Sequence, residues 1–316
     1  MTPPNWPALI EDYLALRHQR GFAVEQMGWY LRDFARYTER IEHHGPLTVD
    51  LAVRWAQSSG RDPAHAERRL SAIRQFARHH AVFDPGTEVA PMGLLAGPQR
   101  RQPPHIYSDA EISALLRECG RLLPRGGLRP LTYTVFFALL ASTGLRLSEA
   151  RHLQGRDVDL PHGVLTIRMS KFRKSRFVPL HPTSVQALTR YAARRDTFPV
   201  APRSEFFFRT DQAPALRRST IEGTFRRVRL RLGWTSHGRA RRPRIHDLRH
   251  TFAVRRLLRW YEEGVDLDRK ILALSTYLGH AQVSHTYWYL SAVPELLAIP
   301  AQCFERFGQR MPESGP

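Results

Sequence analysis

Only one stretch of this chain alternates as β-strands do, and that exception limits the fold more than any other feature. Val164-Leu-Thr-Ile-Arg-Met169 and Arg176-Phe-Val-Pro-Leu180 read as two short strands around the basic turn Ser170-Lys-Phe-Arg-Lys-Ser175, a β-hairpin. Phe206–Phe208 is expected to add a short strand. Elsewhere apolar residues recur at helical spacing. Ile10, Tyr13 and Leu14, then Trp29, Leu31, Phe34 and Tyr37, then Leu70, Ile73, Phe76 and Ala77 mark short amphipathic helices between Ala8 and His80. The fold class expected is mainly α with a small β-hairpin or sheet.

A stretch rich in Pro, Gly and Arg from Pro91 to Pro104 has linker composition. We therefore expect a helical module over residues 1–97, a linker over 98–106 and a larger domain over 107–316. Ser108-Asp-Ala-Glu111 has the spacing of a capping box that opens a helix. A second apolar helix is expected from about Leu131 to Ser142, ending at Thr143-Gly144. The chain then reads as helical and very basic from Arg217 to Arg259, with an amphipathic helix from about Val293 to Phe307.

Charge narrows the partners. The chain has 48 Lys and Arg against 29 Asp and Glu, a net charge of +19. Such a balance attracts polyanions, of which a nucleic-acid backbone is the commonest. A membrane is the competing surface, but the longest apolar run, Val135–Ala141, is far short of the roughly 20 residues a spanning helix needs. The first residues lack a basic region followed by an apolar one, so no signal peptide is expected. Cys119 and Cys303 are too few for a disulfide framework or a zinc cluster. A cytoplasmic, nucleoid-associated setting is the simplest fit.

Four segments have chemical potential. In Ile245-His-Asp-Leu-Arg-His250, helical spacing puts His246, Arg249 and His250 on one face, a group that attracts an oxyanion. The same pattern resembles a zinc-binding His-x-x-x-His pair. Arg249 within it and the arginines around it argue against a dication, and neither metal nor cofactor is expected. Arg146 follows Gly144, which ends a buried helix, and its planar fork suits bidentate contact with phosphate; Glu149 would orient it.

Lysine is rare here: Lys171, Lys174 and Lys270 are the only three, and two share the hairpin turn. An arginine holds its proton, whereas a lysine among cations can release one as a general acid. Tyr277-Leu-Gly-His280 precedes Tyr287 and Tyr289. A tyrosine among cations can attack phosphorus once its proton is removed. The two tyrosines point to different sides of a helix, and spacing alone does not select between them.

In this order, the four segments resemble those of the tyrosine recombinases, which include phage integrases, chromosome-dimer resolvases and transposon integrases. The resemblance runs from about Tyr107 to Phe307. Thr143-Gly-Leu-Arg-Leu-Ser-Glu149 is similar to the first arginine box, which implies a catalytic Arg146. In the hairpin, Lys171 matches the general acid and Lys174 a neighbouring basic position. His246-Asp-Leu-Arg-His250 resembles the second box, with His246 and Arg249 catalytic and His250 in support. Leu278-Gly-His280 supplies the second histidine, and the family's nine-residue offset from it selects Tyr289 as nucleophile. Ser170 and Phe172 stand where glycines usually flank the hairpin lysine.

The resemblance implies a helical core-binding domain and a catalytic domain closing around double-stranded DNA. It also implies a 3′-phosphotyrosyl intermediate and four protomers on two DNA sites. The ending Tyr-Trp-Tyr-Leu looks most like integrases that act with sister recombinases on mobile elements. A C-terminal helix with Leu296, Leu297, Phe304 and Phe307 would dock on a neighbouring protomer or pack on its own domain. Two other functions use similar residues: a type IB topoisomerase that relaxes DNA, and a silent DNA-binding accessory protein.

Overall fold

The computed structural model describes residues 4–22, 24–60, 62–95, 103–168, 175–198, 204–235, 242–280, 282–284, 286, 287 and 289. The hairpin turn with Lys171 and Lys174, residues 98–102 of the expected linker, Cys303 and the expected helix from Val293 lie outside them. The chain divides into two compact units, Met1–Arg101 and Gln102–Pro316.

The first unit is helical among the described residues: α1 (Trp6–Gln19), α2 (Glu25–Arg40), α3 (Val49–Gln57) and α4 (Pro63–His80). Three of these start on side-chain caps that satisfy otherwise orphaned amides: Asn5 for Ala8, Thr48 for Leu51 and Asp62 for His65. The apolar faces meet in an aromatic core. Phe34 packs edge-to-face with Trp6 at 5.8 Å and with Trp55 at 5.4 Å between ring centroids. Two arginines of α4 are structural. Arg69 binds Asp33 at 2.8 Å, and buried Arg74 donates to the carbonyls of Ala90 and Pro91, fastening the segment that leaves the helix.

The second unit is built on α6 (Leu128–Thr143), which is apolar on most sides because it is covered on most sides. Tyr133, Phe136, Phe137 and Leu140 are buried within it. Around it pack α5 (Asp109–Gly120), α8 (Pro182–Asp196) and α10 (Ile245–Glu262), and α9 (Arg218–Arg231) adds Phe225 to the same core. The expected capping box opens α5: Ser108 accepts from the Glu111 amide, and Glu111 accepts from the Ser108 amide at 2.7 Å. A short helix, α7 (Leu147–Arg151), follows α6, and α11 (Leu267–Leu278) packs on α10.

Among the described residues, three antiparallel strands complete the unit: β1 (Val158–Asp159), β2 (Val164–Ile167) and β3 (Arg176–Pro179), in the order β1-β2-β3. β2 and β3 are the two expected strands, with Leu165 opposite Val178, both buried. The third differs from expectation. Phe206 makes only an isolated bridge to Gln154, because Phe207 and Phe208 are drawn into the core around Tyr191 and Phe136. β1 takes the sheet edge instead. No helix among the described residues is long and apolar enough to cross a membrane.

The turn after α6 brings this core to the site. Gly144 ends the helix at φ +62, a left-handed conformation that suits glycine. A Cβ added there would lie 2.6 Å from the Phe252 ring. Left-handed strain alone costs roughly 1–2 kcal/mol in an L-residue. Gly144→Ala is therefore expected to destabilise the fold by about 2 kcal/mol or more, read as a lower denaturant midpoint by circular dichroism. An unchanged midpoint would contradict the crowding described.

Candidate active site

The first turn of α10 is fixed before it can present any chemistry. Asp247 is fully buried; it accepts from the Arg244 amide at 2.8 Å and pairs with the Arg244 guanidinium at 2.7 Å. Tyr107 locks the same turn from outside, donating its hydroxyl to the Arg244 carbonyl and its amide to Thr251. His246, Arg249 and His250 then project from a rigid start, at the helical spacing expected of them.

Arg249 points inward and is 2% exposed. It donates to the carbonyls of Gly144 and Leu278, both at 2.7 Å. Burial pushes its guanidinium down to about 10, with nearby Arg146 adding to the effect, so it stays charged at neutral pH. Arg146 sits at the start of α7. It donates to Glu149 at 2.7 Å through its guanidinium and at 2.9 Å through its amide, and its other arm reaches the Gly279 carbonyl. The two guanidiniums thus straddle the reversal at Gly279, where the backbone adopts φ +66.

Tyr289 packs into this cluster. It is 2% exposed, whereas Tyr287 is 45% exposed, so the residues two apart do face different ways. His250 Nδ1 lies 3.2 Å from the Tyr289 hydroxyl, and the two rings meet edge-on at 5.4 Å. His280 stacks near Tyr289 at 6.2 Å and is oriented by Thr286, whose hydroxyl is 2.7 Å from His280 Nδ1. His246 packs edge-to-face on His250 at 4.7 Å.

The cations set the protonation states. Burial, and then the charge of Arg249, lowers His246 to about 4; burial, and then His246 and Arg244, lowers His250 to about 3. Both imidazoles are therefore neutral near pH 7. Burial raises the Tyr289 phenol, and Arg249 and Arg146 oppose that rise. Among the described residues, no three His, Cys, Asp or Glu side chains converge as metal ligands.

The structure therefore brings together Arg146, Glu149, His246, Arg249, His250, His280 and Tyr289, while Lys171 and Lys174 lie outside the described residues. The sequence reading missed Arg176 and Thr286. Arg176, the first residue of β3, forms a bidentate pair with Glu149 at 3.0 and 2.9 Å and donates to the Tyr277 carbonyl at 2.7 Å. Its one sequence signal was a cation heading the apolar strand Phe-Val-Pro-Leu. Glu149 is shared between Arg176 and Arg146, so one carboxylate orients Arg146 without cancelling the charge of the group.

Comparison with known proteins gives a consistent picture. Residues 108–295 match the model of the phage integrase family. A putative integrase/recombinase of Sinorhizobium fredii, y4rB, is 40% identical over 306 residues, covering 94% of this chain and 96% of the relative. Tyrosine recombinase XerD of Brucella abortus is 27% identical over 304 residues, with coverage of 91% and 94%. Among solved structures, the Tn1549 transposon integrase in complex with transposon right end DNA has a TM-score of 0.68 at 16% identity, covering 98% of this chain and 100% of that one. XerH recombinase bound to its palindromic difH substrate has a TM-score of 0.63 at 18% identity, covering 89% and 80%. At these identities the structural likeness bears on the fold.

The Glu149–Arg176 pair has a measurable signature. Burial opposes ionisation of Glu149, but Arg176 and then Arg146 hold its carboxyl below the usual range. Breaking a buried pair costs about 3–5 kcal/mol. With Arg146 still in place, Arg176→Ala is expected to cost about 3 kcal/mol at neutral pH. A carboxyl whose folded pKa is depressed contributes stability above its unfolded pKa and loses it as pH falls through the folded one. The gap between wild type and variant should therefore narrow below about pH 4 in urea titrations; a gap independent of pH would refute the pairing.

Proposed function

Because the chain belongs to the phage integrase family, an enzyme family, we propose that it is a site-specific DNA recombinase that cuts and rejoins strands through Tyr289. The observation that carries this reading is the Tyr289 hydroxyl, buried beside Arg249 and hydrogen-bonded to His250. A phenol so placed can attack an anion that the arginines have drawn in.

Arg146 and Arg249 would hold the non-bridging oxygens of the scissile phosphate and stabilise the charge gathering there as bonds change. His280, oriented by Thr286, and His246 would add contacts to the same group. The Tyr289 oxygen bonds to phosphorus, and the bond from phosphorus to the 5′ oxygen breaks. Lys171, in the segment joining β2 to β3, gives the departing oxygen its proton. Lys174 would add positive charge beside it. The resulting 3′-phosphotyrosyl link keeps the energy of the phosphodiester, so a 5′ hydroxyl from a partner strand can reverse the step without a nucleotide triphosphate.

Double-stranded DNA is the partner this reading requires. Exchange of both strands would take four protomers on two sites, through a four-way junction, with related recombinases able to occupy some positions. The helical unit of residues 1–101 would serve as the core-binding domain, and the enzyme would work at the nucleoid.

A nicked suicide duplex tests the reading. Wild type should leave a denaturant-resistant covalent adduct in the presence of EDTA. Tyr289→Phe should abolish it and Tyr287→Phe should retain it. Lys171→Ala should slow it by about 10²–10⁴-fold, the usual worth of a general acid, and a bridging 5′-phosphorothiolate, a better leaving group, should restore the rate. Salt-sensitive binding with no adduct would indicate an accessory DNA-binding protein. Relaxation of a supercoiled plasmid lacking any paired site would indicate a topoisomerase.

A further inference from the structure

Tyr289 cannot attack as a neutral phenol without losing its proton, so some group beside it must accept one. Helical spacing puts two histidines of α10, His246 and His250, four residues apart on one face. The structure separates them. His250 Nδ1 lies 3.2 Å from the Tyr289 hydroxyl. His246 makes no hydrogen bond to that hydroxyl among the described residues; it packs edge-to-face on His250 at 4.7 Å.

We propose that His250, rather than His246, takes the phenol proton from Tyr289 during attack. This deepens the reading of Tyr289 as nucleophile and rests on it. The step balances. The Tyr289 O–H bond breaks and its proton bonds to His250 Nδ1, while an oxygen lone pair forms the bond to phosphorus. The bond from phosphorus to the 5′ oxygen breaks with its electron pair, and Lys171 protonates that oxygen. His250 holds the proton until the reverse step, when it returns to the tyrosine.

Several features suit His250 to this use. Acceptance at Nδ1 requires the resting proton on Nε2. The side chain leaves the helix whose first turn Asp247 and Arg244 lock, and its Nδ1 stands 3.2 Å from the Tyr289 hydroxyl. Among the described residues, the groups whose charge acts on it are His246, Arg244 and Arg249 of α10 and His280 beyond α11, with the Tyr289 hydroxyl at its Nδ1. Burial, and then these cationic groups, keep His250 neutral, an acceptor throughout the range in which duplex DNA is stable. A scissile phosphate brings negative charge into this group and raises the affinity of His250 for a proton. The phenol becomes strongly acidic only as its lone pair commits to phosphorus, so proton transfer and attack proceed together.

His246 acquires a separate role from the same geometry. Its edge-to-face contact braces the His250 ring, and helical spacing puts it on one face with Arg249, which would hold a phosphate oxygen. Loss of His246 should then weaken phosphate handling without creating a need for external base.

Single-turnover adduct formation on the nicked duplex separates these roles. In full-length His250→Gln, the rate constant is expected to fall about 10²–10⁴-fold near neutral pH, with DNA affinity unchanged. The deficit should shrink as pH rises towards the phenol's own ionisation, which burial raises. In His250→Ala, which leaves room in the site, added imidazole should restore part of the rate. A bridging 5′-phosphorothiolate should not rescue either variant, since it relieves the leaving group and not the nucleophile. His246→Gln should show a deficit that does not change with pH.

A wild-type rate in His250→Gln would overturn the proposal. So would a deficit that is constant with pH and unanswered by imidazole, or the pH-dependent deficit appearing in His246→Gln instead. Should His250→Gln fail to fold by circular dichroism, imidazole rescue of His250→Ala decides alone. If wild type itself forms no adduct, the reading of Tyr289 as nucleophile fails first, which is a distinct result.

Discussion

A buried guanidinium must be compensated or it unfolds the site that contains it, and Arg249 is compensated by helix ends. Its two arms meet the carbonyl of Gly144, where α6 stops, and that of Leu278, the last residue of α11. Carbonyls at helix C-termini lack intrahelical partners and carry the negative end of the macrodipole. One cation therefore supplies donors to two orphaned helix ends while they supply it with negative potential. The positions of α6, α10 and α11 relative to one another follow from that exchange, and so does the place of Tyr289. A carboxylate partner would hold Arg249 as firmly but would cancel its charge.

Glu149 solves the neighbouring problem differently. It orients Arg146, but as a sole partner it would neutralise it. Arg176 takes up part of the carboxylate and leaves the trio with a net positive charge. The same side chain closes on Gly279, where an added Cβ would come within 2.8 Å of the Arg176 guanidinium. Strand β3 is thus keyed to the end of α11 by a contact that has no room for a larger residue.

Much of the fold was legible because its signals are local. The Ser108–Glu111 box, the stop at Gly144, the β2–β3 pair and the shared face of His246, Arg249 and His250 each follow from spacing within one element. What could not be read depends on distance. Arg176 was one arginine among many, and its partners Glu149 and Tyr277 lie 27 and 101 residues away. The sheet edge went to β1 rather than Phe206 because the core claimed the neighbouring phenylalanines, a competition invisible in a window of a few residues. That His250 rather than His246 meets the Tyr289 hydroxyl depends on where the segment after α11 returns. Tyr289 was selected over Tyr287 by family resemblance; burial of one and exposure of the other supply a physical distinction that spacing did not.

The carbonyl contacts of the two site arginines also have a consequence for the order in which the molecule matures. Arg249 reaches Gly144 across 105 residues, and Arg146 reaches Gly279 across 133. Closing loops of that length costs entropy before any contact repays it, so such pairings form late compared with helices and hairpins. The basic surfaces of α9 and α10, by contrast, exist as soon as those helices do. A nascent chain therefore gains its attraction for polyanions before its two site arginines are brought together.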